Sequence, residues 1–360
     1  MHMLHGHGGD IYSLARDLGI APGSILDFSS NVSPLSLPEG LQEILTEHLQ
    51  EIRSLPEVDS VGVREALARR YRLSARHFLV GGGTTEWIYS IPRVFGDRKV
   101  CVPLPTYADY ADAARLAQLP VETLGPWPDA DPHSDDDILD NLQRAARDLS
   151  IIFLCNPNNP TGRFISPKAL KPVISGNRDS LWVIDEAYAP FVGPDSRSSL
   201  ISIDFPPNLI VLRSFSKIYG VPGLRLGYAV GDPEKISALA VGARPWAVSR
   251  LAQLAGEFLV NAEPYEQRVR DYCRQEKARF LSAIRGIHLL DPVVGACPFI
   301  LFRVHKPWTA AGVTTTLRNH GILIRDCGNF VGLAGEFIRI SLRVKGDNDR
   351  LIRILEASVP

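Results

Sequence analysis

Between about residue 60 and residue 245, short apolar runs alternate with amphipathic stretches, and this alternation limits the fold more than any other feature. The strand-like runs are FLV (78–80), KVCVP (99–103), IIFLC (151–155), LWVID (181–185), LIVL (209–212) and LRLGYAV (224–230). Helical patterns such as ADYADAARLAQ and ILDNLQRAARDL lie between several of them. Buried β-branched runs that alternate with helices indicate βα units and a sheet covered on both faces. The expected fold class is therefore α/β, with a large domain on a mostly parallel central sheet. Beyond this region the pattern changes. A long helical stretch, EPYEQRVRDYCRQEKARFLSAI, precedes shorter strands in CPFILFRV, GILIRD and EFIRISL, which reads as a smaller α+β domain. The expected division is 1–50 as an N-terminal arm with part of the small domain, 51–245 as the large domain and 246–360 as the small one.

Composition excludes several function classes. Thirty-nine Lys+Arg against 40 Asp+Glu leave almost no net charge, which argues against a nucleic-acid coat or an acidic tail protein. Five Cys, an odd count without close spacing, predict neither a disulfide framework nor a cysteine zinc site. The opening MHMLHGHGGD has no apolar core for a signal peptide, and the longest apolar stretch is too short to span a membrane. A soluble cytoplasmic protein follows, with no metal and with neither nucleic acid nor membrane as partner.

Four segments carry chemistry. In GGGTTEW (81–87) a strand ends in three glycines and a helix follows, which fits a phosphate cup or a ligand-free turn. CNPNNPTG (155–162) sits at the carboxyl end of a strand, where open α/β sheets bind ligands. Asp185 closes the apolar strand of VIDEAY (183–188); a carboxylate there can pair with a buried cation or cap the next turn. In RSFSKIYGVPGLRLGY (213–228), Ser214 and Ser216 flank Phe215, Lys217 follows, and Arg225 comes eight positions later. A lysine held there can be an amine nucleophile, with the serines and the arginine holding a phosphate.

In their fixed order GGGTTE, PTY, NPNNPTG, DEAY, SFSK and GLRLGY, these segments resemble the fold-type I pyridoxal-phosphate enzymes of the aminotransferase class I/II group. The resemblance runs over nearly the whole chain. It implies an aspartate aminotransferase-like fold, pyridoxal 5'-phosphate as cofactor and a homodimer. It also implies roles: Lys217 as the cofactor-bearing lysine, Asp185 at the ring nitrogen, and Tyr107 stacked on the ring. Tyr188 and Asn159 would meet the ring's phenolate oxygen, and Gly83, Thr84, Ser214, Ser216 and Arg225 the cofactor phosphate.

Within the group, HGGD (7–10), LDFSSNVSPL (26–35), RPWAVS (244–249) and ILIRDCGNFVGL (322–333) resemble the L-threonine-O-3-phosphate decarboxylase family of cobalamin assembly. The histidinol-phosphate aminotransferases, similar in size and core, are the competing resemblance. The decarboxylase resemblance implies a phosphorylated amino acid as substrate. His7, Gly8, Gly9 and Arg325 would meet its phosphate, Arg339 its α-carboxylate, and Asn31 and Asn159 would be further substrate contacts. One departure stands out. The group's Arg-x-Tyr-Pro-Asp-like stretch, whose tyrosine reaches a partner's cofactor phosphate, here reads Arg53-Ser54-Leu55-Pro56-Glu57, and Leu55 has no hydroxyl.

Overall fold

The computed structural model describes residues 8–125, 135–202, 205–333 and 335–358. His7 lies outside them. One sheet runs in the order Phe78–Gly81, Gly227–Gly231, Leu209–Ser214, Leu181–Asp185, Ser150–Cys155, Lys99–Pro103 and Val121–Leu124. Pairing is parallel from Leu209–Ser214 out to Val121–Leu124. It is antiparallel on both sides of Gly227–Gly231. Neighbouring residues of one strand serve opposite faces: Ile152 and Leu154 enter one apolar cluster, Ile151 and Phe153 the other. This two-residue period is what a sheet buried on both sides requires.

The sixth expected strand, 224–230, starts late. Pro222–Leu224 is a 3-10 turn and Arg225 has φ of 52°, a left-handed conformation that stops strand pairing until Gly227. Val121–Leu124 has no counterpart among the expected strands. It is an edge strand in which Val121 and Glu122 are half-buried and Thr123 is exposed, so it lacks the apolar run that marks a central strand.

A second sheet carries Phe299–Val304 between Leu290–Val293 and Phe337–Ser341, with Arg325–Asp326 outermost. Its core is separate, and includes Phe280, Phe302, Ile338, Ile340 and Leu351. Phe28 joins it from the N-terminal region. The expected boundary at residue 246 does not coincide with the division between the cores. Helix Arg250–Leu259 buries Ala252, Ala255 and Leu259 in the large cluster. Helix Glu263–Ala283 gives Tyr265, Val269 and Cys273 to the large core and Phe280 to the small one. The division falls inside this helix, because an apolar stripe buries itself wherever a facing surface is available.

The segment GILIRD divides as well. Ile322–Leu323 pairs in parallel with Leu26–Asp27, whereas Arg325–Asp326 pairs antiparallel with the strand Phe337–Ser341, setting Arg325 opposite Arg339. Among the described residues, no helix is long and apolar enough to cross a membrane.

Candidate active site

The parallel strands end at a cavity of about 560 Å³, where Cys155, Asp185 and Ser214 close three neighbouring strands. Among the described residues, every candidate except the exposed Leu55 lines it. The wall therefore brings together Gly8, Gly9, Asn31, Gly83, Thr84, Tyr107, Asn159, Asp185, Tyr188, Ser214, Ser216, Lys217, Arg225, Arg325 and Arg339.

Asp185 is at the centre of the floor and is 5% exposed. Its Oδ1 accepts the Ala187 N–H at 3.0 Å, and its Oδ2 accepts the Tyr110 hydroxyl at 2.8 Å. Burial pushes its carboxyl above the usual range, against the lowering pull of these bonds and of Lys217. Tyr110 carries no motif and was not among the expected residues. It stacks on Phe153 at 5.2 Å and meets Tyr107 edge-on at 5.7 Å, so it braces both the carboxylate and the aromatic wall.

Lys217 lies on the short helix Phe215–Ile218, which starts where the strand Leu209–Ser214 ends. The Ser214 hydroxyl caps that helix by accepting the Ser216 N–H at 3.2 Å. The Lys217 ammonium stands 5.8 Å over the Tyr188 ring. Burial and then the positive charge of Arg339 push its pKa down to about 8, from 10.5 for a free lysine. A large share of this amine is therefore neutral near pH 8 and can act as a nucleophile.

Beside Lys217 is an anion cradle. Helix Thr84–Val94 begins after Gly83 with no side chain capping its N-terminus, and Thr84 and Thr85 of its first turn line the cavity. Gly83 has φ of +92°, and a Cβ there would lie 2.8 Å from Arg225 Nη2. Arg225 itself contacts the carbonyl oxygens of Gly82 and Pro222 at 3.4 and 3.3 Å, and no ion pair engages it among the described residues. The Ser214 and Ser216 side chains complete this wall.

The opposite wall belongs to the small sheet and the N-terminal region. Arg339, 4% exposed, donates through Nη1 to Asn159 Oδ1 and through Nη2 to the Ser29 carbonyl at 2.7 Å. Its buried Nε has no hydrogen-bond partner among the described residues. Arg325 donates to Asn329 Oδ1 at 2.6 Å and stacks over Phe330. Asn31 donates to the Tyr188 hydroxyl at 3.2 Å and accepts the Ser341 hydroxyl at 2.6 Å. Gly8 and Gly9 close this side, with the Gly9 N–H donated to Ser29 Oγ at 2.7 Å. Ser29 and Asp27 were also not expected. Their signal was the Asp-Phe-Ser string, because Asp commonly accepts the N–H two residues on.

Comparison with known proteins adds three relatives. The family described as Aminotransferase class I and II matches residues 24–357. A threonine-phosphate decarboxylase of Salmonella typhimurium is 34% identical over 97% of this chain and 95% of its own. A histidinol-phosphate aminotransferase of Symbiobacterium thermophilum is 31% identical over 98% and 95%. The crystal structure of an L-threonine-O-3-phosphate decarboxylase from Porphyromonas gingivalis superposes with a TM-score of 0.81 at 28% identity, over 92% of this chain and 99% of the other.

Proposed function

Because the chain belongs to the aminotransferase class I and II family, we propose that its cavity holds pyridoxal 5'-phosphate and that it decarboxylates L-threonine O-3-phosphate. The product is (R)-1-aminopropan-2-yl phosphate, for cobalamin biosynthesis. The residues present fit the cofactor. Asp185 is a buried carboxylate in need of a cationic partner, and the uncapped helix start at Thr84 with Arg225 is a cradle for a phosphate dianion. Lys217 between them is an amine with a lowered pKa.

Bound pyridoxal phosphate supplies an aldehyde that condenses with amines and a protonated ring that draws electrons from the substrate's Cα. The chain does the rest. Asp185 holds the proton on the ring nitrogen, and Tyr110 and the Ala187 N–H keep that carboxylate oriented. Tyr107 would stack on the ring, Tyr188 and Asn159 would meet its phenolate oxygen, and Asn159 also joins Arg339. Lys217 is the group able to return a proton to Cα. Arg339 takes the α-carboxylate in a two-pronged grip, with Asn159 and Asn31 beside it. His7, Gly8, Gly9 and Arg325 take the distal phosphate. Fixing both anionic ends sets which bond at Cα is aligned for breaking.

The observation that carries this reading is the second anionic grip. Arg325 lies directly across the strand pair from Arg339, and the Gly8–Gly9 turn lies against the same Ser29 that Arg339 holds. A phosphate cradle at Thr84 and Arg225, plus this far wall, suits a substrate with both a carboxylate and a phosphate. The test is incubation of the loaded enzyme with threonine phosphate and no keto acid. One CO2 and one aminopropanol phosphate per substrate are expected. Without CO2, amino transfer between histidinol phosphate and 2-oxoglutarate would establish the competing aminotransferase reading, which the relative at 31% identity favours.

A homodimer belongs to the same reading. Leu49, Ile52, Leu55 and Val58 expose apolar side chains along one stretch, and Trp246, also exposed, donates its backbone N–H to the Val58 carbonyl. Such a patch on a lone chain favours a protein partner. Sedimentation equilibrium is expected to give twice the chain mass of 39.6 kDa; a single chain mass would reject the dimer.

A further inference from the structure

Ser29 joins three parts of the chain that are remote in sequence. Its hydroxyl accepts the Gly9 N–H at 2.7 Å and donates to Asp27 Oδ1 at 2.6 Å. Its carbonyl accepts Arg339 Nη2 at 2.7 Å. The residue is 1% exposed. A hydroxyl has one proton to give. With that proton committed to Asp27, a lone pair is left aimed at the Gly9 N–H. Asp27 is anchored for the purpose: its Oδ1 also accepts the backbone N–H of Ser29 at 2.8 Å and of Ser30 at 3.2 Å. Arg343 fixes the segment from beneath, donating to the carbonyls of Asp27 and Ser30. The Gly8–Gly9 turn is seated so closely that side chains are excluded. A Cβ on Gly8 would lie 2.5 Å from the Ser29 carbonyl oxygen, and one on Gly9 2.7 Å from Ser30 Oγ, at φ of +93°.

We propose that Ser29 is a positioning residue that holds the Gly8–Gly9 turn in register with Arg339, so that one residue sets the spacing between the grips on the two anionic ends of the substrate. The substrate side of this inference rests on the function proposed above; the clasp itself does not. Asp27 and Ser29 touch neither end of the substrate in this scheme. They act by deciding where the turn and the guanidinium stand.

Two measurements test it on the cofactor-loaded, full-length protein. In hydrogen exchange, Ser29→Ala is expected to speed exchange at the Gly9 amide by roughly two- to tenfold, the range for one lost hydrogen bond. Peptides spanning 214–219 keep their rate. Asp27→Asn, which keeps the Oδ1 acceptor without its charge, is expected to fall in between. Unchanged exchange at Gly9 in Ser29→Ala overturns the clasp. In kinetics, Ser29→Ala is expected to raise KM for threonine phosphate by a similar factor, about two- to tenfold, with the cofactor's absorbance unchanged. In a Gly9→Pro background, where the donor N–H is absent, the same substitution is expected to add less than about twofold, because two changes to one interaction are not additive. Full additivity would mean that Ser29 acts by some route other than the turn, and would overturn the proposal. A wild-type protein that releases no CO2 from threonine phosphate rejects the decarboxylase reading alone, since the exchange measurement still decides the clasp.

Discussion

Lys217→Ala is expected to lower turnover by at least roughly 10²–10⁴-fold, the usual share of a positioned proton-transfer group. The rest of the cavity is left standing, since the Lys217 side chain forms no ion pair among the described residues and its removal opens no charged network. Borohydride is expected to fix the cofactor to the peptide that carries Lys217 in the wild type, and to no peptide in the variant. A reduced adduct on another lysine would reject the assignment. The wild-type protein freed of cofactor gives a second measurement. Its pKa of about 8 means that the amine is protonated, and so unreactive, well below that pH. Recombination with pyridoxal phosphate is therefore expected to quicken as pH rises through about 8, well before the 10.5 of an ordinary lysine. The cause is burial first and Arg339 second. Arg339→Met is thus expected to move the midpoint upward, because a repelling charge that favoured the neutral amine is gone.

Asp185→Ala is the second large effect. Removing a preorganised charge from a buried site costs on the order of 10²–10³ in turnover. The cofactor is still expected to be retained through Lys217 and the cradle at Thr84 and Arg225, so the loss falls on turnover more than on loading. Asp185→Asn is the sharper comparison. It keeps the size of the side chain, its one oxygen can still accept the Ala187 N–H and its amide nitrogen can donate to the Tyr110 hydroxyl, but it carries no charge to hold a proton on the ring nitrogen. A deficit close to that of Ala assigns the effect to charge, and near-normal turnover in either variant would contradict the role of Asp185.

Asp185 was legible in the sequence because a strand's last residue faces the edge where open α/β sheets bind ligands. Lys217 and Arg225 were legible through their spacing beyond such a strand. Tyr110 was not, since an aromatic three positions after Tyr107 on a helix reads as core. Its value depends on Asp185, 75 residues away. Ser29 was hidden for the same reason, with partners 20 and 310 residues distant. That helix Arg250–Leu259 packs in the large cluster is not legible, because amphipathicity says that a face is buried but not against what. The late start of the strand at Gly227 depends on one backbone angle at Arg225, a residue type that seldom adopts it.

The small core is built from both ends of the chain. Leu26–Asp27 pairs with Ile322–Leu323, and Phe28 packs among residues that extend to Leu355. During synthesis from the N-terminus, the strand Leu26–Asp27 has no pairing partner until Ile322–Leu323 has been made. The large sheet, complete by Gly231, has all its strands much earlier. Wall residues from the N-terminal side, among them Gly8, Gly9 and Asn31, must therefore wait for the strands that carry Ile322 and Arg339, and the cavity closes only after those have been made.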